Sequence, residues 1–184
     1  MLKTLRRIGV IVGSDTDLKQ CVEGLGLLID ENLKGKVNLA WVDTASQHRN
    51  TLPLQGILTA YSMLPVEQKV DVLIIGAGWA NHLSGCSDAF LRNTLRDDKI
   101  EVFAVAFEDP ECPEHTRAAK LSITEVPKTQ VIYKDYVGAE GFLKACQDAL
   151  TMELPKIKLP TVKQPIRRTF VGAHLEGSSL REEE

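Results

Sequence analysis

The sequence has no paired-cysteine pattern, no long apolar run and no large excess of charge of either sign. Its four cysteines, Cys21, Cys86, Cys112 and Cys146, stand far apart with no CxxC among them, which fits reduced thiols better than a disulfide framework. No run approaches the ~20 apolar residues that a bilayer crossing requires, so no membrane partner is expected. A net charge of −3 gives no broad basic footprint, which argues against nucleic acid as a partner. The start, Met1 to Arg7, is basic but leads directly into a β-like run; it lacks the apolar stretch and small-residue cleavage site of a signal peptide. No internal repeat is visible, and a cytoplasmic location is the expectation.

What is present is the alternation of a doubly wound α/β domain. Four runs rich in Val and Ile, Ile8 to Val12, Val37 to Val42, Val70 to Ile75 and Val102 to Phe107, read as strands of a parallel sheet covered on both faces. A weaker fifth run covers Gln130 to Tyr133. Between the runs, Leu18, Cys21, Val22, Leu25 and Leu28, then Leu54, Ile57, Leu58 and Tyr61, recur at helical spacing. A sheet of about five strands in right-handed βαβ crossovers follows. Asp15 or Thr16 is expected to cap the first helix and Ser84 the one after the third strand. A last helix is expected over Ala139 to Leu150. Residues 1–154 then form one domain. From Pro155 on, Pro160 and Pro165 alternate with Lys and Val and the chain ends Arg181-Glu182-Glu183-Glu184, so 155–184 reads as an extended tail on a neighbouring subunit or without order.

Ligands bind beyond the carboxyl ends of strands in open parallel sheets, so the loops there carry the chemistry. After the first strand stands Gly13-Ser14-Asp15-Thr16-Asp17, where a tight turn, a hydroxyl and a helix N-terminus suit a phosphate and Asp17 suits ribose hydroxyls; taken alone, these residues read first as a simple capped turn. After the second stands Ala45-Ser46-Gln47-His48-Arg49-Asn50, with a guanidinium for an anion beside an imidazole able to exchange a proton. After the third stands Gly76-Ala77-Gly78-Trp79-Ala80-Asn81-His82-Leu83-Ser84-Gly85, whose small residues admit a ligand close to backbone N–H groups. Cys112-Pro113-Glu114-His115 has no second ligand pair and reads as a surface loop; Cys86 reads as a helix-facing thiol and Trp41 as core.

In order, these three loops resemble the GSxSD, SAHR and GAGGAAHLPG motifs of the aminoimidazole ribonucleotide carboxylase/mutase (PurE-like) family, over roughly residues 7 to 150. The resemblance implies a flavodoxin-like, three-layer fold, a homo-octamer with sites between subunits, and a ribonucleotide substrate. The implied activity is formation of 4-carboxy-5-aminoimidazole ribonucleotide in purine (IMP) biosynthesis. The carboxyl donor is either the N5-carboxy form or carbon dioxide, with no metal or organic cofactor. It further implies that Gly13, Ser14, Asp17, Ser46, Arg49, Ala77, Gly78 and Leu83 bind substrate, and that His48 and His82 are catalytic. His48 would move the ring proton and is expected to be partly buried. Trp79, Gln47, the acidic loop Glu108 to His115 and Glu125 depart from the family pattern. They leave open a carboxylase or decarboxylase of another ribonucleotide, or a catalytically silent nucleotide-binding protein.

Overall fold

A computed structural model describes residues 5–162. Four parallel strands form its sheet: β1 (Arg6–Val12), β2 (Val37–Thr44), β3 (Val72–Ala77) and β4 (Glu101–Ala106), in the order β2-β1-β3-β4. The first and third crossovers leave β1 and β3 in opposite directions across the sheet. The edge between β1 and β3 is therefore a topological switch point, where the chain opens a crevice at the carboxyl ends. The segment expected as a fifth strand, 130–133, meets β4 through a single parallel bridge, Phe103 to Ile132, and a second bridge, Ala106 to Val137, follows beyond it. Tyr133, Lys134 and Asp135, the last in the left-handed region, turn the chain between those bridges and prevent a continuous ladder.

Helices cover both faces. The first crossover is broken into a short α1 (Asp15–Leu18), a 3₁₀ turn (Lys19–Cys21) and α2 (Val22–Leu33). Helix α2 packs with α6 (Gly138–Thr151) on one face, burying Leu28, Phe142, Ala145 and Cys146 against Val10, Val12, Ile74 and Val105. A Cβ on Gly24 would stand 2.5 Å from the Phe142 ring, so glycine is what lets these helices close together. The other face carries α3 (Thr51–Met63), α4 (His82–Ala89) and α5 (Pro113–Thr124), with Leu54, Leu58, Leu83 and Ile123 turned inward. This is the three-layer, flavodoxin-like α/β fold in a single domain.

Two capping expectations are corrected. Ser14, not Asp15 or Thr16, caps α1: its backbone is extended and its Oγ accepts the Asp17 N–H at 3.1 Å. Asn81, not Ser84, caps α4, because Oδ1 of Asn81 accepts the Ser84 N–H at 3.1 Å. The tail, as far as residue 162, lies on its own chain. Ile157 is buried, Gln130 exchanges two hydrogen bonds with the Lys158 backbone at 2.7 and 2.9 Å, and Arg96 Nη1 donates to the Pro160 carbonyl at 2.7 Å. The rest of that expected tail, with Pro165, His174 and the Arg181–Glu184 end, lies outside the described residues, as does 1–4.

All four cysteines are free. Burial pushes the Cys21 thiol up to about 12 and raises that of Cys146, so neither is reactive near neutrality. Cys86, expected to face inward, is exposed because the inward face of α4 is taken by Leu83, Ser84, Ser87 and Asp88. Trp41 is only half-buried and stacks on Tyr61, ring centroids 4.4 Å apart, on the edge strand.

Candidate active site at the strand carboxyl ends

The three loops meet over the β1/β3 crevice, and Asp17 joins two of them. One carboxylate oxygen, Oδ2, accepts the Ser14 hydroxyl at 2.8 Å, and the other, Oδ1, accepts the Gly78 N–H at 3.1 Å. The loops can come this close because Gly13 lacks a side chain: a Cβ there would sit 2.9 Å from Ala77 Cβ and 3.0 Å from Asp17 Oδ2. Burial raises the pKa of Asp17; the hydrogen bonds from Ser14 and Gly78 and the nearby Arg49 charge pull it down without cancelling that effect.

The second loop is tied to the first by Arg49, whose Nη2 donates to the Gly13 carbonyl at 3.0 Å. Ser46 shapes this loop from within. Its Oγ accepts the His48 and Arg49 N–H groups at 3.3 and 3.4 Å, and its N–H donates to Asn50 Oδ1 at 3.3 Å. Ser46 is buried, whereas His48 and Arg49 reach into solvent. On the single chain the His48 ring, expected to be partly buried, is exposed.

His48 meets His82 across the crevice. Nε2 of His48 lies 3.1 Å from Nδ1 of His82, with the rings edge to face at 78°. One of these nitrogens must carry the proton and the other receive it, so the pair shares a single hydrogen. His82 is the first residue of α4, and the position of that helix is set by Asn81. The buried Asn81 side chain donates to the Val105 carbonyl at 2.8 Å, and its Oδ1 lies 2.9 Å from Ser84 Oγ. Asn81 thus locks the third loop onto the sheet, a role that no spacing in the sequence signals. Leu83 and Ala77 turn their side chains into the core and leave only backbone to face a ligand.

A fourth element, the acidic loop Glu108 to His115, borders the edge. Trp79 (φ 60°) stacks on His115, with centroids 3.9 Å apart and planes at 19°. His115 Nδ1 in turn lies 2.7 Å from Asp109 Oδ2, and this partner holds the Asp109 carboxyl below its ordinary range. The loop after β4 read as surface, which it is. Its position at the same carboxyl edge was the available signal that it could also reach the third loop.

No metal-holding cluster of His, Cys, Asp or Glu occurs among the described residues. Nor is any helix among them long and apolar enough to cross a membrane.

No family model matches the sequence. N5-carboxyaminoimidazole ribonucleotide mutase of Pyrococcus abyssi is 26% identical to it over 162 residues, which span 88% of this chain and 80% of that one. The crystal structure of Treponema denticola PurE shares the fold, with a TM-score of 0.54 at 15% identity over 79% of this chain and 87% of that one. The likeness to the mutase runs through most of both sequences, and the likeness to the Treponema structure is one of fold.

Proposed function

We propose that the protein forms 4-carboxy-5-aminoimidazole ribonucleotide in purine biosynthesis, from the N5-carboxy isomer or from aminoimidazole ribonucleotide and carbon dioxide. The observation that carries this reading is the His48–His82 pair held at 3.1 Å beside Arg49, over the switch point of the sheet. The similarity to a curated N5-carboxyaminoimidazole ribonucleotide mutase supports it.

The chemistry suits the groups present. A carboxyl group added to an electron-rich imidazole carbon leaves that carbon tetrahedral and still bearing its hydrogen. Aromaticity returns when a base removes the proton, and the reverse step requires the same proton back. Two histidines sharing one hydrogen supply an acceptor nitrogen and a donor nitrogen in one place. Arg49, Ser14 and Ser46 would bind the phosphate and Asp17 the ribose, so that a phosphate held at Arg49 places the ring within reach of His48 one residue away. Backbone of Gly13, Ala77, Gly78 and Leu83 would line the remainder.

The exposure of His48, Arg49 and His82 on the single chain supports a homo-oligomer, an octamer in this proposal, in which a neighbouring subunit covers the site. Four free thiols suit a cytoplasmic location. A second reading, action on a different ribonucleotide, is favoured by Trp79 and His115 occupying the edge. Assay of the purified protein with aminoimidazole ribonucleotide and its N5-carboxy form, each with and without bicarbonate, tests the proposal. Turnover of either supports it and identifies the donor. Absence of turnover with both overturns it. A monodisperse monomer at micromolar concentration in sedimentation would overturn the octamer.

A further inference from the structure

Trp79 holds an unusual place for a large side chain. Its φ of 60° lies in the left-handed region that favours glycine, and the backbone is pinned on both sides, by the Gly78 N–H on Asp17 and by the buried Asn81. A bulky residue persists in such a conformation only where its surroundings over-determine it, and such residues gather at ligand clamps.

The surroundings here are built from the loop after β4. His115 covers one face of the indole, with centroids 3.9 Å apart and nearly parallel planes. His115 is fixed by Asp109 at 2.7 Å. Asp109 is fixed in turn, accepting the Glu111 N–H at 3.0 Å and donating its own N–H to Thr116 Oγ1 at 2.9 Å. Among the described residues no second ring lies against the indole, and Trp79 is 65% exposed. The result is a rigid aromatic plane at the ligand edge, backed on one side and open on the other.

We propose that the open face of Trp79 is a stacking platform for the planar heterocycle of the ribonucleotide, with the Asp109–His115 pair as its backing. This rests on the ribonucleotide reading above and adds what recognises the base. Arg49, Ser14 and Ser46 address the sugar phosphate, which every ribonucleotide shares; Trp79 addresses the ring. A plane already immobilised loses little entropy on binding, so the stack contributes to affinity nearly in full. Because any heterocycle has a π-face, the platform reads the presence and flatness of a ring and not its hydrogen-bonding edge. Trp79 is accordingly a positioning and specificity residue, and its loss should raise KM more than it lowers kcat.

The test uses the full-length protein and two probes, aminoimidazole ribonucleotide and ribose 5-phosphate, which lacks the heterocycle. Trp79→Gly suits the backbone at this position, and Trp79→Phe keeps a smaller ring should the glycine variant fail to fold. Trp79→Gly should bind the ribonucleotide about tenfold more weakly, as for loss of one base stack. Its affinity for ribose 5-phosphate should not change, and Trp79→Phe should recover most of the loss. Tryptophan emission of the wild type should be quenched by the ribonucleotide and not by ribose 5-phosphate. In Trp79→Phe, where Trp41 alone remains, that quench should vanish. Equal affinity of wild type and Trp79→Gly for the ribonucleotide, or equal weakening toward both probes, overturns the platform while leaving the site assignment intact. A wild type that binds neither probe overturns both. Ring-selective binding that depends on Trp79, without turnover, upholds the platform and overturns the proposed reaction.

Discussion

The two ends of the sheet each carry a polar cluster, and the clusters are built in opposite ways. At the carboxyl ends, His48, Arg49, His82 and Trp79 stand in solvent, and the hydrogen bonds beneath them tie loop to loop. Toward the amino ends, Asp88, Arg92, Asp97 and Glu101 are all at most 3% exposed. There Arg92 donates from Nη1 to the Asp97 carbonyl at 2.9 Å and from Nη2 to the Ile100 carbonyl. Its Nε lies 3.0 Å from Asp88 Oδ1 without hydrogen-bond alignment, so that contact is Coulombic only. Asp97 gathers the Ser62 hydroxyl at 2.6 Å, Lys69 at 2.8 Å and two backbone N–H groups, which lowers its pKa against the opposing effect of burial. The difference teaches which charges serve the fold. A buried network has its partners inside the chain and holds the strands in place, whereas an open cluster keeps its donors available to a ligand.

If that division is right, mutations at the two ends should separate stability from activity. Arg92→Ala should have the largest effect. It leaves Asp88 buried without its cation and two carbonyls without donors, and should cost about 3–5 kcal/mol in urea unfolding. Glu101→Gln sharpens the same end. Burial pushes Glu101 up from its ordinary 4.5 to about 7, and among the described residues its Oε1 has no hydrogen-bond partner. Ionisation is thus penalised in the folded state alone. The protein should be most stable below pH 4.5 as far as this group is concerned, and should lose about 3 kcal/mol as pH rises through 7. Glu101→Gln should flatten that slope in unfolding curves measured from pH 4.5 to 8, and an unchanged slope would show that the group does not titrate there.

The carboxyl end should respond in activity instead. His48→Asn keeps size and one hydrogen-bonding role but removes the exchangeable nitrogen. Turnover should fall at least ~100-fold with substrate affinity and melting temperature largely kept. Arg49→Ala should weaken ribonucleotide binding by about 2 kcal/mol, measured by calorimetry, with little change in stability because the side chain is exposed. At this end only the cap should also touch stability: Ser14→Ala should cost about 1 kcal/mol in urea unfolding from the lost α1 cap, the smallest expected effect. A His48 or Arg49 variant that unfolds like Arg92→Ala would erase the distinction between the two ends.

Much of this was legible beforehand, and the reasons it stopped where it did are physical. The apolar runs placed all four strands to within two residues, because a strand buried on both faces must be apolar throughout. The three loop motifs were legible because a parallel sheet sends every such loop to one edge. Cap residues were misplaced by one or two positions at α1 and by three at α4: Ser14, Asp15 and Thr16 are all competent caps, and only backbone geometry chooses among them. Nothing local marks Asp88, Arg92, Asp97 and Glu101 as buried, since charged residues are ordinarily on the surface. The stack of Trp79 on His115 was equally invisible, because it joins loops from two different strands.

The sequence by itself determined the class of fold, the edge on which the site lies and the residue types gathered there. These follow from local patterns, the period of apolar residues and the turn chemistry after each strand. Only the tertiary structure decided that His48 meets His82 across 34 positions, that Asp17 reaches Gly78, and that four ionisable side chains are buried at the opposite end. Those pairings depend on strand order, which brings β3 beside β1 and β4 beyond it, and strand order is a property of the whole packed chain.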